Sequence, residues 1–254
     1  MTETMRPQSV EVLGVRVDGV TYREACEIAA ALIQQGGAHQ FATVNPEFVM
    51  AARRDEEFRA VLASTALNVP DGAGVVWAAR RRGLNVRERV AGVDLMLKLC
   101  DWAARYRWRV FFLGARTGVA ERVAAALVLT YPGLTVAGAY AGSPRREEEM
   151  ALVARVRAAR PQLLFVAYGA PAQDKWLARN LPLLAPAATD GASGIVGMGV
   201  GGAFDFIAGV QKRAPDWMQR ANLEWLYRLL RQPWRWRRQM ALIRFALAAM
   251  LESR

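Results

Sequence analysis

The sequence predicts an α/β fold in which a Rossmann-like, mainly parallel sheet is flanked by helices and followed by a helical C-terminal appendage. Short runs of apolar and β-branched residues alternate with segments of helical periodicity along most of the 254 residues. Small and polar residues follow these runs, as expected where parallel strands turn into helices. Near Gly209 the alternation gives way to a segment rich in Arg and Trp. We therefore expect an α/β core at 1–205 and a basic, Trp-rich appendage at 206–254.

The elements of the core are predicted in order from these patterns. The predicted strands are 10–17, 41–44, 67–69, 109–113, 134–139, 163–168 and a glycine-rich 194–200. The predicted helices are 21–35, 46–64, 74–82, 93–106, 119–131, 145–159 and 172–180. Thr21 and Glu24 have the spacing of a capping box at the start of the first helix. Because ligands of such folds bind at the carboxyl ends of the strands, the residues that follow the strands are the candidate site.

The composition indicates a globular protein of a reducing compartment. An apolar share of 53% is ample for a core. Cys26 and Cys100 are far apart in sequence, which argues against a disulfide framework or a zinc site. The N-terminal sequence has no apolar stretch of signal-peptide length, and no run of about 18 apolar residues occurs. We expect a protein that is neither exported nor membrane-spanning.

The net charge of +11 is concentrated near the C-terminus, where ten Lys/Arg and three acidic residues follow position 211. Such a field attracts phosphates of nucleic acid, anionic lipids or a diphosphate substrate, although a solvated arginine surface would have the same composition. Tryptophans are interleaved with these arginines, and positions 217, 220, 224, 228 and 231 share one helical face. This pattern suits a helix lying on a membrane, a nucleic-acid surface, or a helix whose tryptophans pack into the core.

Polar residues follow the predicted strands, and each has two interpretations. Asp71 is either the N-cap of helix 74–82 or a general base that points into the crevice. Thr43 and Asn45 either cap the helix that begins near Pro46 or orient a sugar. Gly114 begins a turn that lets a ligand approach the backbone closely.

The run from Gly197 to Gly202 satisfies G-x-G-x-x-G, yet it follows the last strand rather than the first. We therefore favour a tight strand-to-helix turn near the ligand over a dinucleotide site, with Asp205 as a turn residue or site acid. The sequence has no Asp-x-Asp pair and a single histidine, His39. We expect no metal, so a bound diphosphate would be neutralised by Arg, Lys and backbone N–H groups.

Several blocks of the sequence resemble the WecG/TagA/CpsF glycosyltransferases, glycosyltransferase family 26. The blocks are TVNPEFVMAARRDEEF, VPDGAGVVWAARRRG, ERVAGVDL, FFLGARTGVAERVA, YPGLTVAGAYAG, LLFVAYGAPAQDKW and GVGGAFDFIAGVQKRAPDWM with LEWLYRLLRQPWRWRR. The resemblance implies an inverting, metal-independent enzyme that needs no cofactor. Its donor would be a UDP-linked sugar of the N-acetylmannosamine type, and its acceptor a polyprenyl-diphosphate-linked saccharide. The product would serve a teichoic acid, exopolysaccharide or other cell-surface polymer. The alternative is a non-catalytic nucleotide- or nucleic-acid-binding protein that uses the basic C-terminal segment.

The resemblance also implies roles for individual residues. Asp71 matches the residue proposed as the catalytic base in that family, and Thr43, Asn45, Arg89 and Gln173 match residues of its substrate site. The appendage would hold the lipid diphosphate with Arg220, Arg228 and Arg231, and we expect Trp234 and Trp236 to anchor in the headgroup layer. The expected partners include an anionic membrane at its cytoplasmic face and a possible second copy of the chain, but no nucleic acid. Two departures stand out: Ala141-Gly142-Ser143-Pro144 replaces a His-Gly-aromatic run, and Asp174 stands where Glu is usual.

Overall fold

The computed structural model describes residues 7–185, 193–220, 224–231 and 236–252. Its strands are β1 Ser9–Val12, β2 Val15–Asp18, β3 Ala38–Val44, β4 Leu67–Pro70, β5 Arg109–Gly114, β6 Thr135–Tyr140, β7 Leu163–Ala167 and β8 Ile195–Gly199. Strands β3 to β8 form one parallel sheet in the order β4-β3-β8-β7-β5-β6. Because all six strands run the same way, their carboxyl ends meet at a single edge. The predicted α/β fold with a parallel sheet is confirmed.

The helices follow the strands in the alternation that the sequence predicts. They are α1 Tyr22–Gln35, α2 Pro46–Ala52, α3 Glu56–Ser64, α4 Ala73–Arg81, α5 Gly92–Tyr106, α6 Val119–Thr130, α7 Arg146–Ala159, α8 Ala172–Asn180, α9 Ala203–Ile207, α10 Asp216–Arg220, α11 Glu224–Arg231 and α12 Trp236–Leu251, with a 3₁₀ turn at Leu181–Leu184. Thr21 accepts a hydrogen bond from the N–H of Glu24, and the Glu24 side chain accepts one from the N–H of Thr21. The predicted capping box is therefore present.

Helices cover both faces of the sheet. Alternate residues of β5 belong to different clusters: Val110 and Phe112 pack with α1, α5 and α6, whereas Phe111 and Leu113 pack with α7 and α8. This is the period-two alternation of a strand buried on both sides. A third cluster joins the β1–β2 hairpin to α2, α3 and α4.

The C-terminal helix α12 packs against the core rather than standing apart from it. Phe245 and Ala249 are buried in the third cluster, beside α2 and α4. At the end of α12 the Glu252 carboxylate accepts a hydrogen bond of 3.0 Å from the N–H of Leu13, in the β1–β2 turn. The division into a core at 1–205 and an appendage at 206–254 stays a prediction.

Two predicted elements were wrong. The single strand predicted at 10–17 is an antiparallel hairpin, because Leu13 and Gly14 both adopt positive φ values and turn the chain back. The single helix predicted at 46–64 is two helices. The Asp55 carboxylate accepts a hydrogen bond from the N–H of Phe58 at 3.0 Å, so it caps the start of α3.

Candidate active site

A cavity of about 530 Å³ lies at the edge of the sheet where the parallel strands end. Its floor comes from the turns that follow β3, β4, β7 and β8. The residues of these turns that line it include Thr43, Asn45, Asp71, Gly169 and Gly201. The strand ends singled out from the sequence therefore converge on one concave site, as expected for a parallel α/β sheet.

The Asp71 carboxylate is held by the beginning of helix α5. Its Oδ2 atom accepts a hydrogen bond from the backbone N–H of Gly92, at 3.1 Å. The residue that caps α4 is Gly72, and no side chain completes that cap. The interpretation of Asp71 as the N-cap of helix 74–82 is therefore wrong. The first turn of α5 instead directs an N–H donor and the positive end of its dipole at the carboxylate, which stabilises its negative charge.

Arg89 lies in a segment that is fastened along the end of β4. The N–H of Val90 donates to the carbonyl of Pro70 at 2.9 Å, and the N–H of Ala91 donates to the Tyr22 hydroxyl oxygen at 2.8 Å. These two hydrogen bonds fix the backbone directly after Arg89, whose half-buried side chain lines the cavity. No ion pair within the described part of the chain uses Arg89. Its guanidinium can therefore meet an anionic ligand without first breaking a salt bridge.

Thr43 and Asn45 both line the cavity, at the end of β3. The Asn45 Oδ1 atom accepts a hydrogen bond from the N–H of Phe48 at 3.0 Å and so caps α2. Asn45 is therefore both the N-cap of α2 and a residue of the cavity lining. Thr43 is buried against the start of α5: a Cβ on residue 92 would lie 3.0 Å from its Cγ2 atom.

Gln173 ties together two of the turns that form the floor. Its Oε1 atom accepts hydrogen bonds from the N–H of Gly169 at 3.1 Å and of Gly201 at 2.9 Å. The side chain is almost wholly buried, and a Cβ on residue 199 would lie 2.6 Å from its Nε2 atom. Gly199 thus provides the space that lets Gln173 bridge the ends of β7 and β8.

Asp174, the departure noted in the sequence, is completely buried beside Gln173. Neither of its carboxyl oxygens has a hydrogen-bond partner among the described residues. Burial raises the pKa of the Asp174 carboxyl to about 7, because the charged form is poorly solvated there. The group is consequently protonated over much of the acidic and neutral range.

Gly114 and Asp205 lie outside the lining of this cavity. Gly114 ends β5 with a φ of +109°, and a Cβ there would lie 2.9 Å from the backbone of Ala167 in β7. Asp205, in the first turn of α9, has its carboxylate 3.6 Å from the Arg116 guanidinium. The structure thus brings neither residue together with Asp71, and their roles in substrate binding stay predictions.

The roof of the cavity comes from α4 and the C-terminal helices. Its apolar members are Trp77 in α4, Trp225 in α11, and Leu242 and Phe245 in α12. Phe245 packs against the first turn of α4, since a Cβ on residue 74 would lie 3.4 Å from its ring. Sequence reasoning missed these four as site residues. The spacing of the apolar residues at 242, 245 and 246 could have indicated an inward helical face.

The tail residues predicted to bind lipid diphosphate fall partly outside the described structure. The side chains of Arg220 and Arg228, and all of Trp234, are outside it. The Arg231 guanidinium stacks 5.5 Å above the ring of Tyr227, and Trp236 begins α12 with 56% of its surface exposed. The lipid contacts of the tail residues therefore stay a prediction.

The outward face of α12 is an exposed apolar stripe. Its members recur every three or four residues and are Trp236, Met240, Ile243, Leu247 and Met250. The opposite face packs against the core through Phe245 and Ala249. No described helix is long and apolar enough to cross a membrane.

The arrangement combines the Asp71 carboxylate and the Arg89 guanidinium in one cavity. A carboxylate in such a setting can accept a proton from a hydroxyl group, and the guanidinium can bind an anionic ligand. Among the residues that the structure describes, no group of three or more His, Cys, Asp or Glu side chains is arranged to hold a metal ion.

Comparison with known proteins identifies the family to which this sequence belongs. Residues 10–254 match the model of the glycosyl transferase WecG/TagA/CpsF family. The chain is 38% identical over 213 residues to an N-acetylglucosaminyldiphosphoundecaprenol N-acetyl-beta-D-mannosaminyltransferase of Bacillus subtilis (strain 168), covering 84% of this chain and 79% of the relative. A protein of the same name from Staphylococcus aureus (strain NCTC 8325 / PS 47) is 30% identical over 230 residues, covering 90% and 87%. The chain is a glycosyltransferase and belongs to the WecG/TagA/CpsF family.

Proposed function

We propose that this enzyme transfers N-acetylmannosamine from a UDP-linked donor to N-acetylglucosamine carried on a polyprenyl diphosphate. The names of the relatives support this choice of sugar and acceptor. The observation that carries the chemistry is the Asp71 carboxylate, which lies in the cavity and is held by the N–H of Gly92. The product would enter the synthesis of a cell-surface polymer of the teichoic acid type.

The proposed reaction is a single displacement. The acceptor hydroxyl oxygen attacks the anomeric carbon from the side opposite UDP, and Asp71 takes the hydroxyl proton as the new C–O bond forms. The bond between the anomeric carbon and the UDP oxygen breaks, and its electron pair leaves with the diphosphate. The configuration at the anomeric carbon is therefore inverted. A carboxylate that lines the cavity and is oriented by the N–H of Gly92 is suited to this role.

Other residues of the floor would bind and orient the substrates. We assign the diphosphate charge to Arg89 and the backbone N–H groups of the strand-end turns. Thr43 and Asn45 would contact the sugars through their polar groups, whereas Gln173 would act by holding the turns of β7 and β8 in place. No cofactor enters this scheme.

We further propose that the enzyme works on the cytoplasmic face of the membrane that contains its acceptor. The exposed stripe on α12 supports this location, because its large apolar side chains suit insertion among lipid headgroups. Arg244 is exposed on the same helix and could meet anionic headgroups. The inner face of α12 lines the cavity, so this orientation would bring the site next to the lipid carrier.

The donor and acceptor can be tested with separate incubations of UDP-N-acetylmannosamine, UDP-N-acetylglucosamine and UDP-glucose. Each contains a short-chain prenyl-diphosphate-linked N-acetylglucosamine, and the product is measured by mass. We expect addition of one N-acetylhexosamine only with UDP-N-acetylmannosamine. Efficient transfer from another donor alone, or transfer to water but never to the lipid-linked sugar, would show that the proposed substrates are wrong.

A further inference from the structure

An ion-pair bridge joins helix α5, which holds the proposed base, to helix α11 in the roof of the cavity. The Arg213 guanidinium binds both oxygens of the Asp94 carboxylate, with N–O distances of 2.5 and 2.8 Å. Its Nε atom also lies 3.7 Å from the Glu224 carboxylate. Asp94 is in the first turn of α5, and Glu224 is the first residue of α11. Arg213 thus connects two helices from a position between α9 and α10.

This bridge is shielded from solvent more than a surface ion pair. The exposed fractions of the three side chains are 20% for Arg213, 31% for Asp94 and 13% for Glu224. A planar guanidinium that binds a carboxylate through two parallel hydrogen bonds fixes orientation as well as distance. Arg213 can therefore hold a neighbouring helix at a fixed distance and orientation relative to α5.

Both ends of the bridge are close to the proposed chemistry. At one end, α5 contributes the N–H of Gly92 that binds Asp71, two residues before Asp94. At the other end, Glu224 and Trp225 line the cavity. The two hydrogen bonds to Asp94 fix the Arg213 guanidinium on α5, whereas its approach to Glu224, at 3.7 Å, is an ion pair without a hydrogen bond. Because Arg213 is anchored on α5, its charge is held beside the carboxylate at the start of α11 and attracts that helix toward the cavity.

We propose that Arg213 is a positioning residue, which holds α11 over the cavity so that the lipid-linked acceptor is bound opposite Asp71. The roof that α11 shares with α12 presents Trp225, Leu242 and Phe245, an apolar surface that suits a prenyl chain. The polar floor, with Arg89, suits the nucleotide sugar. Loss of the bridge should therefore weaken acceptor binding more than donor binding. This inference rests on the proposed function for the identity of the acceptor.

The test measures transfer by Arg213→Met while the concentrations of donor and acceptor are varied separately. We expect the acceptor KM to rise about tenfold, the equivalent of one lost hydrogen bond to a charged group. The donor KM should stay within about twofold of the wild-type value. Arg213→Lys keeps the charge but loses the two-pronged geometry, so it should recover part of the acceptor affinity. Asp94→Asn removes the negative charge that Arg213 binds, so it should likewise raise the acceptor KM and leave the donor KM nearly unchanged.

A matched control is Arg105→Met, which breaks the exposed pair between Arg105 and Asp101 further along α5. It should leave both KM values unchanged. Equal changes in the donor and acceptor KM of Arg213→Met, or changes no larger than those of Arg105→Met, would overturn the inference.

Hydrogen exchange of the full chain provides a second readout that does not depend on the substrates. Arg213→Met should accelerate exchange of the backbone amides in α11, but not in β7, because the bridge restrains the roof and not the sheet. Unchanged exchange in α11 would contradict the inference. If the wild-type enzyme transfers no sugar to the acceptor, the proposed function fails, and the exchange comparison still decides whether Arg213 positions α11.

Discussion

The carboxylate of Asp71 and the backbone N–H of Gly92 lie 3.1 Å apart and join the end of β4 to the start of α5. The contact orients the carboxylate and places it at the positive end of a helix of 15 residues. The adjoining hydrogen bond from the N–H of Val90 to the carbonyl of Pro70 holds the segment next to Arg89 against the end of β4, and Arg89 lines the same cavity. The attachment of the segment before α5 to the end of β4 thus brings the proposed base, Asp71, and the residue proposed to bind the diphosphate, Arg89, into one cavity.

The exposed stripe of α12 predicts that membrane binding depends on its outward apolar residues. We expect Ile243→Glu and Leu247→Glu each to weaken binding to vesicles containing phosphatidylglycerol by about tenfold or more, since each replaces an exposed aliphatic side chain that would insert into the lipid with a charged one. Flotation of protein with vesicles measures this. Transfer to a short-chain, water-soluble acceptor should be little changed.

Leu129→Glu is the matched control for these variants, because Leu129 is 84% exposed on α6 and lies outside the stripe. It should bind vesicles as the wild type does. Equal loss in all three variants would contradict a specific role of the stripe in membrane binding. A change of oligomeric state in the α12 variants alone would indicate that the stripe contacts a second copy of the chain instead.

The buried carboxyl of Asp174 predicts a specific dependence of stability on pH. Its pKa is about 7 in the folded protein and near 3.8 in an ordinary environment. The folded state therefore holds a proton that the unfolded chain has lost, and its contribution to stability is full below about pH 4 and disappears as the pH rises to about 7. The shift corresponds to a loss on the order of 4 kcal/mol across that range.

Asp174→Asn removes this titration while keeping the shape of the side chain. The free energy of unfolding of the wild type should fall relative to that of the variant between pH 4 and 7, and the difference should level off above that range. Chemical denaturation at a series of pH values measures it. Parallel curves for the two proteins would refute the assignment.

Gln173 should contribute to stability through the two turns that it joins. Gln173→Leu leaves the N–H groups of Gly169 and Gly201 without their acceptor, and the loss of each of these part-buried hydrogen bonds costs about 0.5–1.5 kcal/mol. We expect a lower free energy of unfolding together with reduced transfer. A variant with unchanged stability and no activity would instead assign Gln173 to direct substrate contact alone.

We expect transfer to continue after metal ions are removed. In the proposed mechanism Arg89 and backbone N–H groups balance the charge of the leaving diphosphate. Enzyme treated with EDTA and assayed in chelated buffer should keep its rate, and Arg89→Met should raise the donor KM. Loss of activity with EDTA that magnesium or manganese restores would contradict this part of the mechanism.

Most of the fold was predictable because the apolar periodicity of the core is strong. The strands at 41–44, 67–69, 109–113 and 163–168 and the last, glycine-rich strand all belong to the parallel sheet. The hairpin at β1–β2 was missed because its two short strands and the Leu13-Gly14 turn together form one valine-rich segment of the length of a single strand, 10–17. The break before α3 was missed because Asp55 acts as a cap in a stretch where helical periodicity continues.

The floor of the site was predictable, but its roof was not. Thr43, Asn45 and Asp71 follow strands, and parallel strands must end together. Trp225 and Phe245 reach the cavity only through packing of α11 and α12 over residues far away in sequence. The bridge of Arg213 to Asp94 also joins residues 119 positions apart, which no local pattern indicates.

The central claim is that Asp71 accepts the proton of the attacking hydroxyl. The most direct measurement is the transfer rate of Asp71→Asn at saturating donor and acceptor, together with donor affinity by calorimetry and unfolding by circular dichroism. Asn keeps the size and the hydrogen-bond acceptor for Gly92 but cannot take the proton, so we expect a loss of about 10²-fold or more in kcat with donor affinity and stability retained. Turnover near the wild-type rate by a folded, donor-binding variant would contradict the account.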